Sequence, residues 1–262
     1  MTDNHSELLE SFKAISAVLE RHGVTYYGVY GTAIGAVRHN GFIPWDDDLD
    51  IGIFAKDLDL VSKILKEELD PDKFYYHQPS ADSHPHVIYK GPDFEERLKN
   101  RSVSFIDIFI FLDYPDSKIR RALSYPFTGF ELLSHKIIEE TNSNMIKGLF
   151  YKVLNISRKT IRLFSQPDTK RVCLRDPKVS KNSWERADFG TPIIHKFEDT
   201  TIPLPCNYHK YLTEFYGDYM TPPPEDQRAG ATGYPYNLLQ DYLEDQRGDV
   251  KHHRISNEDL PY

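Results

Sequence analysis

The sequence predicts an α/β (α+β) domain in which helices flank a sheet and a further helical segment is inserted. Three observations carry this reading. Segments with apolar residues at helical spacing are interspersed with short runs rich in β-branched and aromatic residues. Residues 102–112, SVSFIDIFIFL, are the most hydrophobic stretch and lack alternation, as a strand buried on both faces does. Residues 145–164 combine an apolar stripe with basic residues, the pattern of a long helix outside the strand-rich part.

Taken in order, residues 7–22 place Leu8, Phe12, Ile15 and Leu19 on one helical stripe, with Gly23 set to end it. Residues 24–30 read as a strand running into Gly31-Thr32. A strand that ends in Gly and a hydroxyl residue, with helix after it, offers backbone N–H groups and a side-chain donor to an anion. An ordinary turn is the plainer alternative. Residues 33–38 form a short helix, and Gly41 and Pro44 impose a tight approach to four aspartates, Asp46, Asp47, Asp48 and Asp50. Arg38 has two candidate partners, a phosphate that its guanidinium would fork onto or one of these aspartates, and His39 is surface or core.

In an extended chain Asp46, Asp48 and Asp50 project one way while Asp47, Leu49 and Ile51 project the other. Carboxylates sharing one small volume raise one another's pKa, a cost that a hard divalent cation removes. Mg²⁺ takes oxygen ligands, binds through one or two carboxylates and fills its other positions with water and substrate phosphates. A solvated acidic turn is the bland alternative. Trp45 before the run, and Leu49, Ile51 and Ile53 leading into a core after it, weigh against that.

Residues 56–68 carry Leu58, Val61, Ile64 and Leu65 at helical spacing, and 74–77 and 86–90 read as short strands. His84 and His86 invite a metal reading. With no Cys or third His nearby to complete a site, they are read as loop and strand-edge residues. Asp107 sits within the apolar strand 102–112, where a carboxylate needs a cation, a strong donor or an exposed position at the edge of a cleft. A salt bridge to Arg97 or Arg101 is one answer; beside Asp48 and Asp50, a third ligand from a neighbouring strand is the other.

The total charge is −8, but residues 118–171 hold eleven Lys or Arg against four acids, a net +7, so the remainder carries −15. General nucleic-acid binding is therefore not expected of the surface as a whole. In 145–164, Ile146, Leu149, Phe150, Val153 and Leu154 form a stripe with Lys147, Lys152, Arg158, Lys159 and Arg162 interspersed. This helix either caps the core or docks on an anionic membrane face or a lipid-linked acceptor. From Asn182 onward compact-domain composition returns, with a strand at 200–204 and a helix from Asn207 to Phe215. The last forty residues show no periodicity and read as an irregular tail, and His252-His253 is not read as a metal site. Two cysteines without metal-type spacing are expected to be free thiols. No run of about 18 apolar residues is present and the polar start lacks a signal peptide's core, so a cytoplasmic location is expected.

The stretch GTAIGAVRHNGFIPWDDDLDIGI resembles the signature of the LicD family of phosphotransferases, which includes bacterial phosphocholine transferases and the domain of fukutin-type ribitol-phosphate transferases. The resemblance continues through FIDIFIFLD and IPLPCNYHKYLTEFYGDYMTPPPEDQR. It implies a nucleotidyltransferase-like mixed β-sheet flanked by helices. Residues 1–262 would form one catalytic domain, with the basic helical insertion at about 116–180 and the tail at about 222–262. By the same resemblance Gly31 and Thr32 would cradle donor phosphates, and Arg38, on the guanidinium reading above, is counted with them as donor-binding. Asp48, Asp50 and Asp107 would be the catalytic acids and hold Mg²⁺, or Mn²⁺ in its place, and Asp46 would stand at an often acidic position. The implied reaction moves a phospho-alcohol group from a CDP-activated alcohol to a sugar hydroxyl of a glycan, free or lipid-linked, and releases CMP. Location would be cytoplasmic or peripheral at the inner membrane face. The cysteines that bind zinc in fukutin-type members have no counterpart, so a structural zinc is not expected. Two alternatives stay open: a nucleotidyltransferase that moves NMP from an NTP, and a non-catalytic nucleotide- or sugar-binding protein.

Overall fold

The computed structural model describes residues 2–166, 168–174, 183–228, 230 and 233–260. Helix α1 (Asp3–Arg21) opens at Thr2, whose hydroxyl accepts from the His5 N–H, and closes before Gly23, where φ is +66° and a side chain would be strained. Strand β1 (Tyr26–Gly28) is shorter than expected, because the chain turns at Tyr30 and helix α2 (Tyr30–His39) takes in Gly31 and Thr32. Tyr30 has φ +46°, rare for a bulky residue. Packing holds it there: its ring meets Phe109 and Phe215 at 4.9 and 5.3 Å, and its N–H donates to the Tyr211 hydroxyl at 3.2 Å.

Strand β2 (Leu49–Phe54) follows the acidic run, then α3 (Leu58–Glu68), β3 (Phe74–His77), β4 (His86–Tyr89), α4 (Phe94–Lys99) and the long β5 (Phe105–Tyr114). Helix α4 went unanticipated because only Phe94 and Leu98 mark its buried side. The sheet runs β1-β2-β5-β4-β3, with β2 and β5 parallel and the other pairs antiparallel. Its centre is Ile51, Ile53, Ile108 and Ile110, all fully buried, against which α1 lays Phe12, Ile15 and Leu19. Each such side chain contributes roughly 1.5–3 kcal/mol by leaving water.

The basic segment folds as a hairpin of α5 (Lys118–Glu140) and α6 (Asn144–Leu163), then re-enters the sheet as β6 (Arg171–Leu174), antiparallel to the end of β5. The expected insertion is thus helical only in part, because Val172 and Leu174 alternate inward at a strand's period of two. Its expected end at 175–180, and Asn182, lie outside the described residues. In α6 the buried side is Tyr151, Leu154, Ser157 and Arg158, while Ile146 and Leu149 of the expected stripe are exposed. Arg158 is fully buried, its Nε donating to Glu131 Oε1 at 3.1 Å and its Nη2 to the Asp82 carbonyl at 2.6 Å. Its charge is therefore neutralised internally and adds nothing to a surface patch.

Strand β7 (Trp184–Glu185) pairs with β6, and a separate hairpin of β8 (Ile193–Phe197) and β9 (Thr200–Leu204) precedes α7 (Tyr208–Tyr216). The tail is not irregular throughout. It holds α8 (Leu238–Arg247), whose i, i+4 pair Leu238 and Tyr242 packs on Ile88, Phe94 and Leu98. Its apolar residues, Leu238, Leu239, Tyr242 and Leu243, are confined to six positions of an otherwise polar stretch, too short a run to show a period in the sequence. His252 and His253 meet Glu244 and Asp259, at 2.9 and 2.8 Å, and do not share a partner.

Candidate active site

The parallel pairing of β2 with β5 sets Asp50 opposite Asp107, and side chains opposite one another in a sheet leave by the same face. Asp48 stands two residues before Asp50 and joins them. Oxygen atoms of Asp48, Asp50 and Asp107 all lie within 4.8 Å of one another. Asp50 is only 5% exposed, and its Oδ1 has no hydrogen-bond partner among the described residues.

Neighbouring elements fix this acidic edge through its backbone. The Asp50 N–H donates to Thr32 Oγ1 at 2.8 Å, and the Val29 N–H donates to the Asp50 carbonyl at 3.2 Å, so the start of α2 is stapled to β2. From α1, His5 Nε2 donates to the Asp46 carbonyl at 2.6 Å and Asn4 Nδ2 to the Asp47 carbonyl at 2.8 Å. Gly31 lies close against the acidic run: a Cβ there would stand 2.6 Å from Asp46 Oδ2, so that carboxylate would have to shift. Gly31 and Thr32 occupy the first turn of α2, where backbone N–H groups have no carbonyl of their own helix to meet.

The three acids are electrostatically unequal. Burial, then the charges of Asp46 and Asp107, push Asp48 up to about 8. Burial and the same crowding raise Asp50 well above the carboxylate range, and burial raises Asp46. Asp107 goes the other way. Burial pulls it upward, but the hydrogen bonds and charges of His84 and His86 outweigh that and hold it below the usual range. Both imidazoles point Nε2 at Asp107 Oδ1, each at 3.2 Å.

Those two histidines lie in a loop and at the start of a strand, as the sequence reading had them, but buried against Asp107. His86, the first residue of β4, is 1% exposed and in register with Asp107. His84 lies in the bend before it, its ring 4.2 Å from that of Phe109. The missed signal was Asp82-x-His84-x-His86, a carboxylate and two imidazoles at a period of two, in which Asp82 completes the set that a search for Cys or a third His left open. Neither arginine weighed for Asp107 reaches it. Arg97 pairs with Glu7 at 2.7 Å and Arg101 with Glu139 at 2.5 Å.

Arg38 lies in the last turn of α2, seven residues beyond Gly31 and so roughly 10 Å along the axis. Its Nη1 donates to the Tyr219 carbonyl at 2.6 Å, and it shares the Trp45 ring with Arg228, at 6.0 and 4.5 Å from the centroid. Among the described residues no ion pair joins it to an aspartate. The structure thus gathers Asp46, Asp48, Asp50, Asp107, Gly31 and Thr32, and sets Arg38 apart. A cleft of about 650 Å³ opens beside Asp47 and Asp48, with Asn4, Arg97, Phe105 and Tyr234 on its walls.

The LicD/FKTN/FKRP nucleotidyltransferase domain matches residues 23–149, the span that contains β1 to β5 and every acid of this site. Residues 23–149 are a LicD-family enzyme domain. Over 251 residues the chain is 27% identical to the lipopolysaccharide cholinephosphotransferase LicD of Haemophilus influenzae, covering 87% of this chain and 92% of that one. It is 26% identical over 137 residues to the ribitol 5-phosphate transferase FKRP of mouse and of human, covering 47% of this chain and only 28% of theirs. An uncharacterized protein of Rickettsia prowazekii is 42% identical over 60 residues, 23% of each chain. No helix among the described residues is long and apolar enough to cross a membrane.

Proposed function

We propose that this LicD-family enzyme moves a phospho-alcohol group, of the phosphocholine or ribitol-phosphate class, from a CDP-activated donor to a sugar hydroxyl of a cell-surface glycan or its precursor, releasing CMP. The observation that carries this is the meeting of three carboxylates, one with an unpartnered buried oxygen, beside the first turn of a helix. An all-oxygen donor set of this kind fits a hard cation, Mg²⁺ with Mn²⁺ as substitute, held by Asp48, Asp50 and Asp107. When bound, the cation neutralises charge on the phosphate oxygens, the main requirement of phosphoryl transfer.

The chain's own groups supply the rest. The N–H groups of Gly31 and Thr32 face an anion at the positive end of α2. Thr32 also holds Asp50 in place, since its Oγ1 accepts the Asp50 N–H. Asp107, kept ionised by two imidazoles, suits a ligand better than a general base, whose pKa works best near the operating pH. The acceptor side is supported by α6. Met145, Leu149, Lys152, Ile156, Lys159 and Leu163 are all exposed and follow one another at four- and three-residue steps, a single apolar and basic stripe. Such a stripe suits an acceptor held at an anionic membrane face, with the enzyme cytoplasmic and peripheral there.

The test screens CDP-choline, CDP-ribitol, CDP-glycerol and CDP-ethanolamine for thermal stabilisation with Mg²⁺, then follows CMP release in the presence of glycan acceptor. Asp50→Asn keeps the side-chain volume but removes the charge, and is expected to abolish transfer in a folded protein. Stabilisation by an NTP, with pyrophosphate as product, would replace this reading by nucleotidyl transfer.

A further inference from the structure

Behind Asp107 lies a second group of donors that phosphoryl transfer leaves unused. Asp82, His84 and His86 each offer one atom within 4.8 Å of the others. His86 Nε2 is 3.8 Å from Asp82 Oδ2 and 3.2 Å from Asp107 Oδ1, and His84 Nε2 is also 3.2 Å from Asp107 Oδ1. Two imidazoles and two carboxylates therefore converge on one small volume. It lies largely out of water, with Asp82, His84 and His86 all under 10% exposed.

The hydrogen bonds around this group orient it. Asp241 accepts from the Ser80 N–H at 2.9 Å and is paired with Arg254, so it is an acceptor facing His77 Nε2 at 3.0 Å. His77 accordingly carries its proton on Nε2 and presents a bare Nδ1. That nitrogen is 3.1 Å from His86 Nδ1, so the proton between them belongs to His86. His86 Nε2 faces Asp107 and Asp82, and either its own proton, donated to Asp107, or a metal cation can stand between the imidazole and the two carboxylates. The series Asp241, His77, His86 has the form of the carboxylate and imidazole supports that stand behind metal-bound histidines, fixing tautomer and ring orientation. His84 Nδ1 has a comparable partner in Ser83 Oγ at 2.9 Å, and Asp82 is braced by the Tyr236 N–H at 2.9 Å.

We propose that Asp82, His84 and His86 bind a second divalent cation, of the nitrogen-preferring zinc class, with Asp107 standing between it and the all-oxygen site. Imidazole nitrogens favour zinc over magnesium, whereas Asp48 and Asp50 offer only oxygen, so the two places differ in the metal they select. The ligands are imidazole and carboxylate, and this site is unrelated to the cysteine-bound zinc of fukutin-type members. It fixes Asp107 from behind, and its geometry does not depend on which phospho-alcohol is transferred.

The experiment titrates metal-stripped protein with Zn²⁺ by calorimetry, and with Co²⁺ by its visible absorption. Asp50→Asn is used as a background that disables the oxygen site. In that background one equivalent of metal is expected, with Co²⁺ bands characteristic of nitrogen ligation. His84→Gln and His86→Gln are each expected to weaken binding at least tenfold, and His77→Gln, which touches no metal, by roughly 10- to 100-fold. Circular dichroism and melting confirm that each variant is folded, and His84, at the edge of the group, serves if His86→Gln does not fold. Absence of metal uptake by the Asp50→Asn protein, or uptake unchanged in folded His84→Gln, overturns the proposal. The imidazoles would then be protonated partners of Asp107 and nothing more. Absence of phospho-alcohol transfer by the parent protein, with zinc binding intact, would count against the proposed function and leave this site standing.

Discussion

Asp48 ties the stability of the cation-free protein to pH. Burial and its acidic neighbours push its carboxyl up to about 8, whereas in the unfolded chain it titrates near the ordinary value of about 3.9. Between those values the folded state holds a proton that the unfolded state has released, so stability falls as pH rises from about 4 to about 8. Asp50, also raised, acts in the same sense. A bound cation takes the place of the proton. In EDTA the melting temperature is therefore expected to fall between about pH 5.5 and 8. Saturating Mg²⁺ should flatten that fall, so that stabilisation by Mg²⁺ grows with pH. Scanning fluorimetry at constant ionic strength checks this, and a Mg²⁺ effect that shrinks as pH rises would exclude the acids as its ligands. Residue-level chemistry also separates the roles of the acids: Asp107 stays ionised through His84 and His86, while Asp48 and Asp50 need a cation to do so.

Helix α6 shows how one element serves two faces. Inward, Leu154 and Arg158 are fully buried, and removing one partner of a buried ion pair such as Arg158 with Glu131 costs about 3–5 kcal/mol. Charge reversal at Arg158 would disrupt the α5 and α6 hairpin and is no probe of acceptor binding. Outward, Leu149, Ile156 and Leu163 are 58%, 62% and 78% exposed, interleaved with Lys152 and Lys159. Burying those three in a lipid interface would gain roughly 1.5–3 kcal/mol each at full burial, and partial burial is enough to matter. The triple variant Leu149→Ser, Ile156→Ser, Leu163→Ser is expected to bind phosphatidylglycerol vesicles at least tenfold more weakly in a flotation assay, with the melting temperature little changed. Equal flotation of variant and parent would leave the stripe without a membrane role.

Across the whole molecule the C-terminal segment closes over the loop that carries Asp82 and His84. Arg254 pairs with Asp241, Glu244 and Asp245, the Ile255 N–H donates to the Pro79 carbonyl at 2.9 Å, and the Asn257 N–H donates to Asp59 Oδ1 at 2.9 Å. Arg254→Met would leave three acids together without their cation. A loss of about 3–5 kcal/mol follows, which in a chain of this size lowers the melting temperature by roughly 10 °C. A shift of no more than about 2 °C, within the scatter of surface substitutions, would show that the tail does not clamp this loop.

The acidic site was largely legible in the sequence, because its signals are local. Asp48 and Asp50 stand two apart at the start of an apolar strand and Asp107 interrupts the most apolar one, which marks them as candidates, while their grouping as one set of acids came from the resemblance to the LicD family. The helices with continuous stripes, α1 and α3, were legible for the same reason, whereas α8 was not, its apolar residues being confined to positions 238–243. Choice of partner was decided by tertiary structure. His84 meets Asp107 across 23 residues, Arg158 meets the Asp82 carbonyl across 76, and His77 meets Asp241 across 164. The sequence by itself determined which residues carry charge and on which side of their own element they lie, since both follow from side-chain type and backbone period. Only the packed structure decided which charges meet: strand register and helix docking bring distant residues within about 3 Å, the range in which a hydrogen bond or ion pair outweighs the competing water.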